Sequence, residues 1–526
     1  MVEPLDPASL QVLMARLTGI AEEMSAVLRR ASFSPNIKER ADCSCALFTA
    51  SGELLVQAEN IPVHLGSMPA SVEAAIVGFG DRIGPDDQVI VNDPFAGGTH
   101  LNDITLVAPC FVGGTLVGWV ANRAHHADVG GSAPGSLPAD ATEVFQEGLR
   151  LPPVLFDEGI RAVILANTRT PDERRGDLDA QVGANRVGAS GFAGVVERAG
   201  AERLEEVLAY GERRMRAALA AFPDGSWRFA DVVDSTGARA DQQRPAEIRL
   251  TVTVSGDTIG FDFTGSAPQR AGNVNAPRAV TASAVAWALR SVADPTIPPN
   301  GGALRPVSVV VPPRSILSAE APAAVGAGNL EVSQRVADVC LGALTQAAPH
   351  RVGAASQGTM NNLLMGGAVG GGAARVAGAW VYYETVAGGQ GGRPDRPGMS
   401  GVHTGMTNTK NTPVEAIERA YPLRVVRQRL RRGSGGAGSA PGGEGMERDL
   451  QVLEDATVSL ITERRVSQPW GLAGGEPGAV GENWLLPGGD EGRAERLPDK
   501  CTIQLKAGDV LRMLTPGGGG WGEVAR

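Results

Sequence analysis

Two histidines and an aspartate, His100, Asp103 and His125, lie close together in the sequence and have side chains that bind divalent metal ions. Half of the six histidines fall between residues 100 and 126. Two imidazoles and a carboxylate can form a metal site that leaves open positions for water. Histidine and aspartate are also common in turns, so ordinary loop polarity is the alternative interpretation.

The residues between these three side chains predict a β-hairpin. Residues 104–111 and 115–121 are apolar runs that are rich in β-branched side chains. The segment Val112-Gly113-Gly114 separates the two runs and is typical of a hairpin turn.

The register of this hairpin would bring the candidate ligands together. With Phe111 opposite Thr115, the pairing places His125 opposite Leu101. Neighbouring strands lie about 4.8 Å apart. One cation is then within reach of all three side chains if residues 97–100 bend, because residues three apart on a straight strand point to opposite faces.

Periodic patterns predict further elements around the hairpin. Apolar residues at helical spacing indicate a helix over residues 7–31 and a helical stretch over residues 178–222. Residues 248–254 and 259–263 indicate a second hairpin, and a helix follows over residues 331–347. We expect a mixed α/β (α+β), multidomain fold, with the metal site at strand ends and a glycine-rich, β-containing C-terminal part.

The length of 526 residues exceeds that of one ordinary hydrophobic core. Pro223-Asp224-Gly225 ends the helical region, and the chain then becomes β-rich. We therefore predict an N-terminal metal-binding α/β domain over residues 1–225 and a β-rich subdomain over residues 226–320. A glycine-rich α+β domain follows over residues 321–526.

Composition narrows the range of partners. A net charge of -10, with four lysines among 48 basic residues, argues against a nucleic-acid groove or an anionic membrane surface. No apolar run approaches the ~18 residues of a membrane span, and no secretory signal is visible. The five cysteines include no C-x-x-C pair, which fits a reducing compartment. We expect a cytoplasmic protein.

Several longer motifs resemble those of the hydantoinase B/oxoprolinase family. They include Arg40-Ala41-Asp42, His100-Leu101-Asn102-Asp103 and the pair His125-His126. The resemblance extends essentially from end to end, because the matching segments occur in order at residues 34–44, 92–103, 124–131, 147–153, 384–392, 403–409 and 515–521.

The resemblance implies a β-type subunit of an ATP-dependent enzyme that hydrolyses cyclic amides such as hydantoins, 5-oxoproline or lactams. It implies that Asp42, His100, Asp103 and His125 bind a metal ion, and this donor set suits zinc, manganese or iron. It also implies an ATP-binding hydantoinase A-type α subunit as partner in a hetero-oligomer. The alternative is a subunit of a ketone carboxylase of the acetone or acetophenone type, and one sequence does not separate the two.

The chain itself has no nucleotide-binding motif of the phosphate-loop type. Lys38, Lys410, Lys500 and Lys506 are each followed by a residue other than serine or threonine, so G-x-x-x-x-G-K-[ST] is absent. The glycine-rich loops are more typical of turns and of close backbone approach. We therefore predict that the partner subunit uses the ATP.

Three further residues are candidates for catalytic roles. Glu147 is a candidate general acid or base, with a structural hydrogen-bond acceptor as the alternative. His126 should point away from the metal on a strand, so it and Asp128 either support the ligands or substrate or are simply solvated. We interpret Cys43 and Cys45, which flank Asp42, as small core residues.

Two other classes of function stay open from the residues alone. Two histidines and one carboxylate also hold non-haem iron for oxygen chemistry. A metal-free assembly subunit, which only shapes the site of its partner, is the second class. Oxygen consumption and elemental analysis distinguish them.

Overall fold

The protein is described by a computed structural model that covers residues 5–58, 61–80, 82–368 and 378–524. Helices and sheets are mixed along the chain, which confirms the predicted mixed α/β class. The helices are α1 (Pro7–Ala31), α2 (Pro35–Lys38), α3 (Met68–Phe79), α4 (Glu158–Ala166), α5 (Pro171–Ala199), α6 (Leu204–Leu219), α7 (Arg278–Ala293), α8 (Gly301–Leu304), α9 (Ser333–Ala347) and α10 (Val414–Ala420).

The strands form several separate sheets. They are β1 (Cys43–Thr49), β2 (Leu54–Gln57), β3 (Val89–Val91), β4 (Asp103–Val112), β5 (Thr115–His125), β6 (Val154–Leu155), β7 (Gly225–Val233), β8 (Ala246–Ser255), β9 (Thr258–Asp262), β10 (Val307–Val310), β11 (Asn362–Ala368), β12 (Ala379–Thr385), β13 (Leu423–Arg431), β14 (Gly445–Val452), β15 (Ala456–Ile461), β16 (Glu482–Leu486), β17 (Glu495–Leu497), β18 (Lys500–Leu505) and β19 (Val510–Leu514). The strand orders are β2-β1-β5-β4-β3-β6, β10-β9-β8-β7, β12-β11-β15-β18 and β13-β14-β19-β16-β17.

The first sheet contains the predicted hairpin with a different register. Strands β4 and β5 pair antiparallel, and His125 lies opposite Asp103 rather than Leu101. The predicted register was wrong because the turn consists of Gly113-Gly114 alone, both at positive φ, and because a bulge follows just beyond it. The error amounts to two residues, which leaves every side chain on its predicted face.

The predicted N-terminal helix is confirmed as α1. The Asp6 side chain caps it by accepting hydrogen bonds from the backbone N–H groups of Ala8 and Ser9. Pro7 stands at the first helical position, where no N–H is needed. The buried stripe of α1 packs in one core with α5 and with β1 of the first sheet.

The helical stretch predicted over residues 178–222 consists of two helices. Helix α5 begins earlier, at Pro171, and ends at Ala199, directly before Gly200, whose φ is 88°. Only glycine adopts this conformation without strain. A short 3-10 turn then leads into α6, which changes the direction of the chain.

The second sheet and two helices build a further core. The predicted hairpin over residues 248–254 and 259–263 is confirmed as β8 and β9. Helix α9 packs against this sheet, and α7 packs against α9 in the same core. A π-helical turn, Gly328–Val332, precedes α9. Such π-turns are often found at functional sites, and this one carries the polar side chains of Asn329 and Glu331.

The predicted glycine-rich C-terminal part contains two sheets joined by tightly packed loops. A Cβ atom at Gly517 would lie 1.9 Å from the carbonyl oxygen of Ser434, and one at Gly519 would lie 2.1 Å from that of Trp470. These glycines therefore allow backbone segments to touch.

The division into residues 1–225, 226–320 and 321–526 stays a prediction. One hydrophobic core contains residues as distant in sequence as Ile61 and Ile461. Within the described part of the chain, no helix combines the length and apolar character needed to cross a membrane.

Candidate metal centre

His100, Asp103 and His125 converge at the ends of β4 and β5. Asp103 is the first residue of β4, His125 is the last of β5, and the two lie opposite each other. His100 lies in the turn before β4, which is closed by a hydrogen bond from Asp103 N to His100 O. Gly97 has a φ of 96° in this turn, and the bend expected at residues 97–100 is present. All three side chains are buried.

The three ligand atoms form a nearly equilateral triangle. His100 Nε2 lies 3.0 Å from Asp103 Oδ1, His125 Nδ1 lies 3.1 Å from the same oxygen, and the two nitrogens are 3.1 Å apart. Within the described residues, these three side chains form the group of three or more histidine, cysteine or acidic residues whose ligand atoms all lie within 4.8 Å of one another.

Protons cannot satisfy all three contacts of this triangle. Asp103 is ionised, so its oxygen only accepts, and each imidazole nitrogen either donates or accepts. Wherever the protons are placed, at least one contact pairs two donors or two acceptors. A shared cation attracts all three atoms at once, so this nitrogen and oxygen donor set fits a divalent ion.

The pKa values of Asp103 and His125 favour protonation states that suit a metal ion. The pKa of His100 is instead raised, because the carboxylates of Asp103 and Asp42 outweigh the effect of burial, so an ion would have to displace a proton from that imidazole. Burial acts to raise the pKa of Asp103, but contacts from His100, His125 and His64 hold that pKa well below its usual range. Burial lowers the pKa of His125 to about 3. The carboxylate is therefore ionised and the His125 imidazole neutral at neutral pH, as metal ligation requires.

Asp42, the fourth ligand implied by the family resemblance, lies beside this triangle without belonging to it. It precedes β1, and its backbone oxygen accepts a hydrogen bond of 3.0 Å from His125 N. Its carboxyl group lines the same small cavity as Asp103 and His125, and burial raises its pKa to about 7. Metal ligation by Asp42 stays a prediction.

Sequence reasoning missed several residues that hold Asp103 in place. Thr99 Oγ1 donates a hydrogen bond of 2.7 Å to Asp103 Oδ2, and Asn329 Nδ2 donates one of 3.2 Å to the same oxygen. His64 Nε2 lies 3.6 Å from it. Only the scarcity of histidine could have drawn attention to His64, and nothing in the spacing indicates Asn329.

Tyr383 on β12 covers the ring of His125, which sequence reasoning also missed. The two rings are stacked with centroids 4.5 Å apart. The Arg40 guanidinium lies over the Tyr383 ring, 4.9 Å from its centroid. The Tyr383 hydroxyl donates to Asn362 Oδ1 at 3.0 Å, and Asn362 Nδ2 donates to Glu331 Oε1 at 2.7 Å. A chain of contacts thus runs from His125 to the π-turn before α9.

Two of the candidate catalytic residues have other partners. His126 Nε2 lies 2.9 Å from Gln181 Oε1 on α5, which agrees with the expectation that it points away from His125. Asp128 accepts from Arg169 Nη1 at 2.8 Å and from the backbone N–H of Gly135 at 3.2 Å. Catalytic roles for both residues stay predictions.

Glu147 is fully buried between the metal centre and the loop before the π-turn. It accepts hydrogen bonds from the backbone N–H groups of Val325, at 3.0 Å, and Gly326, at 2.8 Å. Burial raises the pKa of Glu147 to about 7, although these two N–H groups act to lower it. Glu147 therefore accepts hydrogen bonds as a structural residue would, which was the alternative interpretation. Its pKa is also suited to proton transfer.

The cysteines flanking Asp42 belong to the hydrophobic core, as interpreted from the sequence. Cys43 and Cys45 pack in one cluster with α1. Burial raises the pKa of the Cys45 thiol to about 12, so this thiol carries its proton at neutral pH. That state does not suit a metal ligand.

Comparisons with known proteins agree with the sequence motifs. The family model described as hydantoinase B/oxoprolinase matches residues 6–524. 5-Oxoprolinase 1 of Arabidopsis thaliana is 38% identical over 98% of this chain, which spans only 42% of that protein. The crystal structure of the ATP-dependent caprolactamase of Pseudomonas jessenii has a TM-score of 0.89 at 28% identity, with 99% of this chain and 92% of that chain covered.

A nucleotide-free structure of acetone carboxylase shares the fold. Its TM-score is 0.89 at 20% identity, with 98% of this chain and 76% of that chain covered. The match of the family model over nearly the whole sequence decides the assignment. The chain belongs to the hydantoinase B/oxoprolinase family.

Proposed function

We propose that this chain is the metal-dependent catalytic subunit of an ATP-dependent cyclic amide hydrolase of the hydantoinase/5-oxoprolinase type. The observation that carries the proposal is the triangle of His100, Asp103 and His125, whose contacts a cation satisfies and protons do not. The relatives named 5-oxoprolinase and caprolactamase support cyclic amides as the substrate class.

The residues around the triangle have distinct tasks in this proposal. A divalent ion, when bound, would supply Lewis-acid polarisation of a carbonyl group and acidify water. His100, Asp103 and His125 would hold it, with Asp42 as the fourth ligand. Thr99 and Asn329 bind the second oxygen of Asp103 and thereby keep the first oxygen turned towards the imidazoles.

Glu147 is the residue that we propose for proton transfer. Its pKa of about 7 allows it to exist in both protonation states near neutral pH. The backbone N–H groups of Val325 and Gly326 hold its carboxyl group in place. Its burial keeps bulk water from competing for the proton.

We further propose that a separate hydantoinase A-type α subunit binds ATP in a hetero-oligomer. This chain lacks a G-x-x-x-x-G-K-[ST] loop, and the Arabidopsis relative contains much sequence beyond the matched part. The partner would phosphorylate the amide oxygen, which makes the carbonyl carbon electrophilic.

The free, buried cysteines support action in a reducing compartment, which we propose is the cytoplasm.

The alternative within the family is an ATP-dependent ketone carboxylase. The likeness to acetone carboxylase, at 20% identity, shows the shared fold alone. Labelled bicarbonate distinguishes the two activities, because only a carboxylase incorporates its carbon into the product. Oxygen consumption would instead indicate non-haem iron chemistry, and metal-free active preparations would indicate an assembly subunit.

The test is to exchange single histidines in the enzyme reconstituted with its α-type partner. We expect His100→Ala and His125→Ala to abolish ATP-dependent ring opening of 5-oxoproline and to lower the bound metal content, while ATP binding by the partner is unchanged. His350→Ala is the matched control, because His350 is exposed. Ring opening and metal content at the control level in both variants would refute the proposal.

A further inference from the structure

Asp128 is a fully buried carboxylate that organises residues 128–136, here called the 128–136 loop. Its Oδ1 atom accepts hydrogen bonds from the backbone N–H groups of Gly130, at 3.1 Å, and Arg169, at 2.9 Å. Its Oδ2 atom accepts from the backbone N–H of Gly135, at 3.2 Å, and from Arg169 Nη1, at 2.8 Å. Both ends of the loop are therefore tied to one carboxylate.

The 128–136 loop holds the backbone on both sides of Glu147. The backbone N–H of Ser132 donates to Gln146 O at 2.8 Å, and the backbone N–H of Leu149 donates to Val129 O at 2.9 Å. One of these bonds lies before Glu147 in the sequence and the other lies after it. The loop thus fixes the point from which the buried carboxyl group of Glu147 extends.

The same loop also holds the turn that carries two of the candidate metal ligands. Asn102, which stands between His100 and Asp103 in the sequence, donates from Nδ2 to Gly135 O at 3.0 Å. Gly135 is also the residue whose N–H binds Asp128. One residue of the loop therefore connects Asp128 to the metal-binding turn.

The position of Asp128 argues against direct contact with a substrate. It lies outside the lining of the cavity at the metal centre, and both of its oxygens are engaged in the hydrogen bonds described above. Arg169, whose side chain is 29% exposed, closes the loop from the solvent side and also donates to Gly131 O at 2.8 Å. A proton-transfer group must come within hydrogen-bond reach of the reacting atom, so Asp128 acts through the loop.

We propose that Asp128 is a positioning residue, which holds Glu147 in a fixed place relative to the metal centre and takes no part in the chemical step itself. A displacement of about 1 Å from the reacting position costs about 100-fold in rate, so the loop controls turnover without touching the substrate. This inference rests on the proposed function for the role of Glu147. The placement of Glu147 rests on the hydrogen bonds alone.

The first experiment is a double-mutant cycle of Asp128→Asn and Glu147→Gln in the enzyme reconstituted with its α-type partner. Asparagine keeps the shape of the side chain, but it removes the charge and turns one acceptor into a donor. Asp128→Asn should lower kcat for ring opening of 5-oxoproline about 10- to 100-fold and leave KM and bound metal unchanged. In the Glu147→Gln background it should change kcat less than about twofold, because both substitutions act on one group.

The second experiment follows the pKa of Glu147 in the metal-free chain and does not depend on turnover. Burial is the largest cause of the pKa of about 7, and two backbone N–H groups and the His100 imidazole oppose it. A loosened loop admits water, so Asp128→Asn should lower this pKa to about 6. Carbon-13 NMR of glutamate-labelled protein measures it, and the signal is assigned by its loss in Glu147→Gln. Arg169→Gln keeps the backbone hydrogen bonds and should lower the pKa by a smaller amount.

Asp449→Asn is the matched control. Asp449 is a buried carboxylate on β14 that accepts from Arg512 Nε at 2.9 Å, and its replacement should change neither kcat nor the pKa of Glu147. Equal losses of kcat in both backgrounds, or a pKa of Glu147 that stays at about 7 in Asp128→Asn and Arg169→Gln, overturns the proposal.

The two experiments separate this inference from the proposed function. If Glu147→Gln leaves ring opening unchanged, the proton-transfer role of Glu147 is wrong, and the NMR titration still decides whether Asp128 positions it. If Asp128→Asn does not fold, the same two measurements on Arg169→Gln decide.

Discussion

Replacing Thr99 with valine tests whether hydrogen bonds to Asp103 prepare the metal centre. Valine has nearly the same shape, and the substitution removes the 2.7 Å hydrogen bond from Thr99 Oγ1 to Asp103 Oδ2. The longer bond from Asn329, at 3.2 Å, remains. The carboxylate then loses its shortest contact on that oxygen and is less firmly oriented towards the two imidazoles.

The expected effect is a weaker affinity for the metal ion. Loss of such a supporting contact typically lowers metal affinity about 10–100-fold, which corresponds to about 1.4–2.7 kcal/mol. A hydrogen bond to a charged group contributes about 1.5–3 kcal/mol to stability. The free energy of unfolding of the metal-free protein should therefore fall by about 1.5–3 kcal/mol.

The assay is a titration of metal-stripped protein with Mn²⁺ or Zn²⁺, in which the free ion is measured directly or by a competing chelator. Thr99→Ser should restore the affinity, because serine retains the hydroxyl group. Thr457→Val is the control on β15, where the hydroxyl contacts Gln504. A Kd for Thr99→Val within about twofold of the wild-type value would refute the reasoning.

Two further predictions concern stability. Gly517→Ala should lower the free energy of unfolding in urea by about 1–3 kcal/mol, because the added Cβ would lie 1.9 Å from Ser434 O. Gly78→Ala is the control and should not lower it, because a Cβ at Gly78 meets no atom within 4 Å. Burial raises the pKa of Glu331 from its ordinary 4.5 to about 8. Its contribution to stability is therefore full below pH 4.5 and is lost as the pH rises to about 8. Urea unfolding of metal-free Glu331→Gln between pH 5 and 8 should show a smaller decline than the wild type, and parallel curves would contradict this.

The local elements and the main candidate ligands could be predicted from the sequence. Helix α1 follows from its apolar periodicity, and β4 and β5 follow from two β-branched runs around two glycines. His100, Asp103 and His125 come from these neighbouring segments. Their convergence therefore depends on contacts between residues that are close in sequence. A register error of two residues leaves each of their side chains on the predicted face of the sheet.

The tertiary structure alone decided what surrounds those ligands. Asn329 is separated from Asp103 by 226 residues, and Tyr383 reaches His125 from another sheet. No local pattern encodes such contacts, because they arise only when separate cores pack together. The bulge in the hairpin and the close approach at Gly517 are likewise products of packing. The sequence by itself thus determined the elements and the donor types, whereas long-range packing decided which other side chains orient the donors and which cavity adjoins them.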